Sequence, residues 1–159
     1  MINTLSVSDN LFLSREIAIG IPPFRVIRTR QMKAKSREML DQVGAKRIDV
    51  MSKVGSLSGG QRQAVAIARA VGWGASILIL DEPTAAMGVR ESAEVHTLLR
   101  SLRTQGITIL FISHNFEEVM ELADQIVVMR QGRVVASVAR DEVSAADLVG
   151  LITGAKSGI

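Results

Sequence analysis

The tetrapeptide Ser58-Gly59-Gly60-Gln61, standing directly before Ala64, Val65, Ile67, Ala68 and Val71, constrains this chain more than any other stretch. The Ser58 hydroxyl can accept from the amide of Gln61 while Gln61 reaches back to the amide of Ser58, the reciprocal pairing of a capping box. The apolar residues that follow recur at intervals of three and four, which predicts a helix to Val71 with one face turned inward. Glycine in the first turn costs about 1 kcal/mol relative to alanine, so the pair Gly59-Gly60 calls for a reason. One reason is close approach to the backbone: a first helical turn offers free amides and the positive end of the dipole, which suit an anion and phosphate above all. A capped surface helix with a permissive start is the alternative these residues alone leave open.

The elements around that helix follow in order. Leu5-Ser6-Val7-Ser8-Asp9-Asn10 predicts a capped helix start that runs on through Leu11, Phe12, Leu13 and Ile17 until Pro22-Pro23 ends it. Thr29 to Val43 predicts a polar helix with Met32, Met39, Leu40 and Val43 inward and Gly44 as its C-cap. After a connector, Lys46 to Ser56, and the Ser58 helix, the apolar run Ile77 to Leu80 ends in Asp81-Glu82 as a buried parallel strand should. Val89 to Arg103 places Val95, Leu98, Leu99 and Leu102 on one helical face, Gly106 breaks it, and Ile107 to Ile112 is the next strand. Asn115 with Glu118 caps a helix through Ala123, and Ser144 with Asp147 caps a last one to Ile152. Between them, Gln125 to Met129 and Val134 to Val138 flank Gln131-Gly132 as a hairpin. Strand–helix–strand–helix–strand implies a parallel α/β sheet with right-handed crossovers.

Composition narrows the classes. The 159 residues are 47% hydrophobic with only 3% aromatic, which favours aliphatic α/β packing over a β-sandwich. Cysteine is absent, excluding a disulfide framework and thiolate metal sites. The uncharged stretch Ala70 to Leu80 falls short of the ~20 residues that span a bilayer, and Met1-Ile2-Asn3-Thr4 offers no basic lead into an apolar core, so no signal peptide is expected. Arg25 to Lys53 carries nine Lys/Arg against three acids, leaving the remainder of the +3 chain at −3. That segment reads as a nucleic-acid or anionic-membrane patch or as a solvated helix face, and the lack of interleaved aromatics for base stacking favours the last.

Leu57-Ser58-Gly59-Gly60-Gln61-Arg62-Gln63 resembles the signature motif of ATP-binding-cassette (ABC) ATPases. Asp81-Glu82-Pro83-Thr84, behind Ile77-Leu78-Ile79-Leu80, resembles that family's Walker B strand, and Ile112-Ser113-His114 resembles its switch histidine. The resemblance implies a partial P-loop NTPase fold: a parallel sheet flanked by helices, with residues 1–56 a helical subdomain and residues 57–159 the C-terminal part of the core. It implies an ATPase using ATP and Mg²⁺, with Asp81 holding the metal through water, Glu82 as the base for the attacking water, and His114 on the γ-phosphate. Ser58, Gly59, Gly60 and Gln61 would face ATP bound to the opposite subunit, so that hydrolysis depends on dimer closure. Ala85-Ala86-Met87-Gly88 departs from the commonest form of the family's D-loop, where an acidic residue usually stands at the place of Gly88, yet Thr84-Ala85-Ala86-Met87-Gly88-Val89, like Leu5 to Leu13 and Leu151-Ile152-Thr153-Gly154-Ala155, is similar to stretches of simple-sugar import ATPases. The partners so implied are a second nucleotide-binding domain, membrane permease subunits and, indirectly, a periplasmic sugar-binding protein, with no nucleic acid. The location so implied is the cytoplasmic face of the bacterial inner membrane.

No G-x-x-x-x-G-K-[ST] occurs in the sequence, and Gly154-Ala155-Lys156-Ser157 lacks the earlier glycine of such a loop. Against the family pattern the chain reads as a cassette shortened at its N-terminus before the glutamine loop, with the Walker A lysine and the first strands missing. An exposed apolar sheet edge, weak ATP binding and no turnover by the isolated chain are the corresponding expectations. The rival reading is a non-catalytic remnant that lends only a signature face to an intact partner. A DNA-repair or ribosomal ABC protein is disfavoured because neither a coiled-coil insertion nor a second cassette is present.

Overall fold

Ser6 opens the first helix, its hydroxyl accepting from the amide of Asp9 at 3.1 Å, and the helix (α1, Val7–Phe12) buries Val7, Leu11 and Phe12 completely. In this computed structural model, residues 1–21, 24 and 26–156 are described, and the chain divides into two compact units, Met1–Phe111 and Ile112–Ile159. α1 is shorter than its sequence predicts. It stops at Leu13, and Ser14 turns the chain with φ +67°. Ile17 lies outside the helix, and a small antiparallel hairpin follows, β1 (Ala18–Ile19) paired with β2 (Val26–Ile27) in the register Ala18 to Ile27 and Ile19 to Val26. The prolines expected to end the first element lie outside the described residues.

α2 (Thr29–Gln42) and α3 (Gly59–Gly72) complete a helical layer with α1. Met32, Met39, Leu40 and Val43 are buried as the spacing predicts, and Gly44 takes φ +78° just past the helix end. Ser36 of α2 donates to Ser8 of α1 at 3.0 Å inside this layer, so two small polar groups meet without a buried unpaired donor. Trp73, just after α3, packs edge-on against Phe12 with ring centroids 5.4 Å apart and donates its indole N–H to the Leu11 carbonyl at 3.0 Å. The Arg15 guanidinium and the Lys35 ammonium stand 4.8 and 5.0 Å from the Trp73 ring centre.

The strand β3 (Ile77–Asp81) pairs with β4 (Thr108–Ile112), and α4 (Val89–Thr104) connects them. The amide of Thr108, where β4 begins, donates to the carbonyl of Ser76 just before β3 begins, so the strands start side by side and run the same way. α4 buries Val95, Leu98, Leu99 and Leu102 as its periodicity requires. The strand itself departs from the buried reading: Leu78 is enclosed, but Ile77 and Ile79 are 62% and 70% exposed, and Leu110 and Ile112 are more than half exposed. Apolar side chains alternating along one face of a strand pair form a bare sheet surface.

The second unit holds α5 (Phe116–Leu122), β5 (Gln125–Arg130), β6 (Arg133–Ala139) and α6 (Ala145–Thr153). β5 and β6 form the expected hairpin. Gln131 and Gly132 both take positive φ, the turn that matches strand twist, and the register shifts between Val128 and Met129. Ile126, Val128, Ala136, Val138, Val143, Leu148 and Leu151 make its core. α3 packs directly on α1 and α2 within the unit Met1–Phe111.

The last residue of α3 tests this packing. A Cβ added to Gly72 would stand 2.5 Å from Cε and 2.6 Å from Cγ of Met39, itself buried against the same layer. Gly72→Ala is therefore expected to lower stability by about 1–3 kcal/mol, overpacking outweighing the helix propensity gained. A urea midpoint equal to or above that of the parent chain would show that Met39 has room to move.

Candidate functional site

The start of α3 is positioned by backbone pairing far from it in sequence. The amides of Val7 and Ser8 donate to the carbonyls of Ser52 and Val50, both at 2.9 Å. The amides of Val54 and Gly55 return the pairing to Leu5 and Asn3 at 3.1 and 2.9 Å. Buried Asn10 holds the same N-terminal segment, accepting from the Ile2 amide at 2.7 Å and donating to the Ile2 carbonyl at 2.9 Å. The connector from Val50 to Gly55 is thus laced to the N-terminal segment and delivers Ser58 to one place.

There the capping box forms as the sequence predicts: Ser58 Oγ accepts from the Gln61 amide at 3.3 Å and Gln61 Oε1 from the Ser58 amide at 3.1 Å. The amides of Gly59 and Gly60, in the first turn, have no acceptor inside the helix. The two glycines differ in what surrounds them. Gly60 is buried, and a Cβ on it would lie 3.3 Å from the backbone oxygen of Glu91 in α4, so helix-on-helix approach accounts for this glycine. Gly59 is half-buried, with the Met87 side chain and the Glu91 carboxylate each 3.3 Å from where its Cβ would be. The Glu91 carboxylate therefore lies against the positive end of the α3 dipole.

An open depression of about 430 Å³ begins beside Gly59 and is lined also by Arg62, Gln63, Glu82, Ala86 and Met87. Gly59 and Glu82 consequently share one surface within a single unit of the chain. Asp81 ends β3 and is exposed. Glu82 follows in the left-handed region at φ +47°, although it is neither glycine nor asparagine and precedes Pro83, a pairing that disfavours helical backbone. Two successive turns then carry the chain from Glu82 to Met87, the Ala85 amide donating to the Glu82 carbonyl and the Met87 amide to the Thr84 carbonyl, each at 3.1 Å. A residue held in this region costs of order 1–3 kcal/mol and persists where its surroundings over-determine it. Nothing in the residue pattern announces that strain, since Asp-Glu-Pro reads as an ordinary strand end.

His114 belongs to the second unit and is exposed, two residues beyond the end of β4. Its neighbours are tied down. Ser113 Oγ donates to the Glu118 carboxylate at 2.7 Å and accepts from the Asn115 amide at 3.0 Å, while Asn115 Oδ1 accepts from the amides of Glu117 and Glu118 at 3.0 and 3.3 Å. Glu118 is buried, which its place in the predicted cap did not reveal.

The residues lining the depression fit a phosphate group. Gly59 presents an amide and no side chain to the depression, with Arg62 beside it. Among the described residues no three His, Cys, Asp or Glu side chains converge on a point, so no all-protein metal cage exists there. Asp81 is exposed at the end of β3 and is not among the residues lining the depression; one carboxylate is a donor set of the kind Mg²⁺ takes, since that ion keeps waters and is shared with phosphates.

Comparison with known proteins bears on this arrangement. Residues 1–85 match the family described as ABC transporter. Over 156 residues the chain is 42% identical to the fructose import ATP-binding protein FrcA of Rhizobium meliloti, an alignment covering 96% of the chain and 60% of that protein. Over 153 residues it is 36% identical to the xylose/arabinose import ATP-binding protein XylG of Sulfolobus acidocaldarius, covering 96% and 59% respectively. The chain spans about three fifths of the length of these curated relatives. Among solved structures, a nucleotide-free ATP-binding cassette from an ABC transporter superposes with a TM-score of 0.75 at 21% identity, over 94% of the chain and 63% of that protein. A dimeric cassette in a post-hydrolysis state bound to ADP and Pi gives 0.66 at 23% identity, over 88% and 59%. The fold is that of an ABC cassette, here represented in part.

Two substitutions probe the site by stability alone. Ser58→Ala removes the acceptor for Gln61 and is expected to cost about 1 kcal/mol in a urea melt, with no loss of the remaining helices. Glu82→Asn, placing a residue that tolerates the left-handed region where glutamate is strained, is expected to gain roughly 0.5–1 kcal/mol. A neutral or destabilising outcome would mean that the Glu82 side chain compensates its own backbone.

Proposed function

The chain belongs to the ABC transporter family, and from that premise we propose that it acts as the ATP-binding and ATP-hydrolysing subunit of a bacterial importer for simple sugars. The observation that carries the proposal is the common depression lined by Gly59 of the signature-like helix start and Glu82 of the strand-end acidic pair. The sugar class is supported by the printed functions of the relatives, which import fructose and xylose or arabinose.

In this reading each residue has one task. Glu82 orients the attacking water and takes its proton, and its constrained backbone keeps the carboxylate from wandering. Asp81 would hold Mg²⁺, which when bound would supply charge neutralisation at the phosphates. His114 contacts the terminal phosphate, steadied by the Ser113–Glu118 and Asn115 bonds on either side. Ser58, Gly59, Gly60 and Gln61 present amides and a cap to a nucleotide held by a second nucleotide-binding domain, so turnover waits on dimer closure. For that nucleotide to reach Gly59, its phosphate replaces the Glu91 carboxylate as the anion at the α3 dipole. Residues 1–56 dock on the permease, residues 57–159 do the chemistry, and the subunit lies at the cytoplasmic face of the inner membrane with a periplasmic binding protein on the other side.

The second reading is a remnant that lends a signature face without hydrolysing, a role for which the capped Gly59-Gly60 helix start suffices. One assay separates the two. The chain is mixed with an intact simple-sugar import cassette in which either the signature serine or the strand-end glutamate has been replaced, and phosphate release is followed. Turnover restored to the glutamate-replaced partner that falls by roughly a hundredfold or more with Glu82→Gln supports the catalytic subunit. Turnover restored only to the serine-replaced partner, unaffected by Glu82→Gln but lost with Gly59→Val, assigns the remnant role. No restored turnover with any form overturns both.

A further inference from the structure

The β1–β2 hairpin is the most apolar exposed feature of the chain and takes no part in the nucleotide site. Ile19, Val26 and Ile27 are more than half exposed, and Ile21 and Phe24 are 82% and 84% exposed. The hairpin is nonetheless a built element. The Phe24 amide donates to the Ile21 carbonyl at 2.8 Å across its tip, and the Arg28 amide closes its base on the Ile17 carbonyl at 2.7 Å. Cross-strand partners share a face, so Ile19 and Val26 project to one side while Ile27 projects to the other. Apolar side chains on both faces and at the tip do not match a groove, which covers one side. They match a medium that is apolar all round.

A further feature names that medium. The sequence from Arg15 to Lys35 carries six Arg/Lys and a single acid, Glu16, and Arg28 and Arg30, directly after the hairpin, are exposed. Basic side chains at the foot of an apolar projection are held at the level of anionic headgroups. Sequence alone favoured a solvated face for this basic segment because aromatics for base stacking were missing. The hairpin supplies the apolar partner that the charge count could not show.

We propose that the β1–β2 hairpin is a membrane-interface anchor, inserting Ile21 and Phe24 into an anionic bilayer surface with Arg28 and Arg30 on the headgroups. The inference is independent of the ATPase reading, since it requires no nucleotide. It gives the chain its own contact with lipid, beside any contact with a permease.

The chain contains no cysteine, so a single introduced one can be labelled uniquely. Full-length Ile19→Cys carrying an environment-sensitive fluorophore is titrated with phosphatidylcholine vesicles with or without one third phosphatidylserine. Ile79→Cys serves as the control, reporting the bare β3–β4 face. A blue shift at position 19 with the anionic vesicles only, absent at position 79, is expected. In co-sedimentation, Ile21→Asp/Phe24→Asp is expected to weaken binding roughly tenfold or more, and Arg28→Glu/Arg30→Glu to weaken it and flatten its salt dependence. All four changes are at exposed positions, and far-UV circular dichroism checks that the fold is kept. Equal binding to neutral vesicles, an equal shift at position 79, unchanged binding of the hairpin variants, or a shift that grows with protein concentration without lipid would each overturn the proposal, the last indicating self-association.

Discussion

The close seating of α3 between its neighbours is the constraint on which the first unit depends. At its N-terminal end Gly60 lets the backbone of α4 approach at Glu91, and at its C-terminal end Gly72 lets Met39 of α2 lie across the helix. Between these points Ala64, Val65, Ile67, Ala68 and Val71 are buried. A helix held at both ends by missing side chains can neither slide nor rotate without opening a gap or a clash, because interiors pack near crystal density. The direction of α3, and hence where its amide-bearing start points, is set by packing first.

This division of labour bears on why two glycines stand together. Gly60 is required by the crossing with α4 and would be required in a protein that bound nothing. Gly59 is not: the groups facing it are the end of a flexible methionine and a carboxylate, both able to withdraw. In the proposed function, anion capture therefore rests on Gly59 and the capped first turn, and Gly60 serves it only by fixing the helix. Glu91 sharpens the point, since a carboxylate already at the dipole end shows the electrostatic preference that a phosphate would satisfy more fully.

Much of this was legible in the residues. Capping boxes at Ser58 and Ser144 and the Asn115 cap are local hydrogen-bond chemistry, decided within four residues, and each formed where the spacing placed it. The β5–β6 turn followed from Gln131-Gly132 for the same reason. What failed to show were features decided elsewhere in the chain. Ile17 continued an apolar pattern, yet α1 ended at Leu13, and two-residue strands as short as β1 and β2 carry too little periodicity to be read. The positive φ of Glu82 is imposed by the turns from 82 to 87 and has no signature in Asp-Glu-Pro. The burial of Glu118 depends on Ser113, a partner that sequence spacing does not single out.

The two exposed apolar surfaces of the chain differ in kind, and the difference follows from strand geometry. Along β3 and β4 the exposed residues alternate, Ile77 and Ile79 on one strand and Leu110 and Ile112 on the other, while Leu78 between them is enclosed. A face with period two is flat and single-sided, and burying it takes one further layer of packed chain. The β1–β2 hairpin has no enclosed side: adjacent residues Val26 and Ile27, which point opposite ways, are both exposed. A layer laid on either face would leave the other wet. Only a surrounding apolar phase removes water from both, and the arginines at the hairpin's foot stand where such a phase meets its charged boundary.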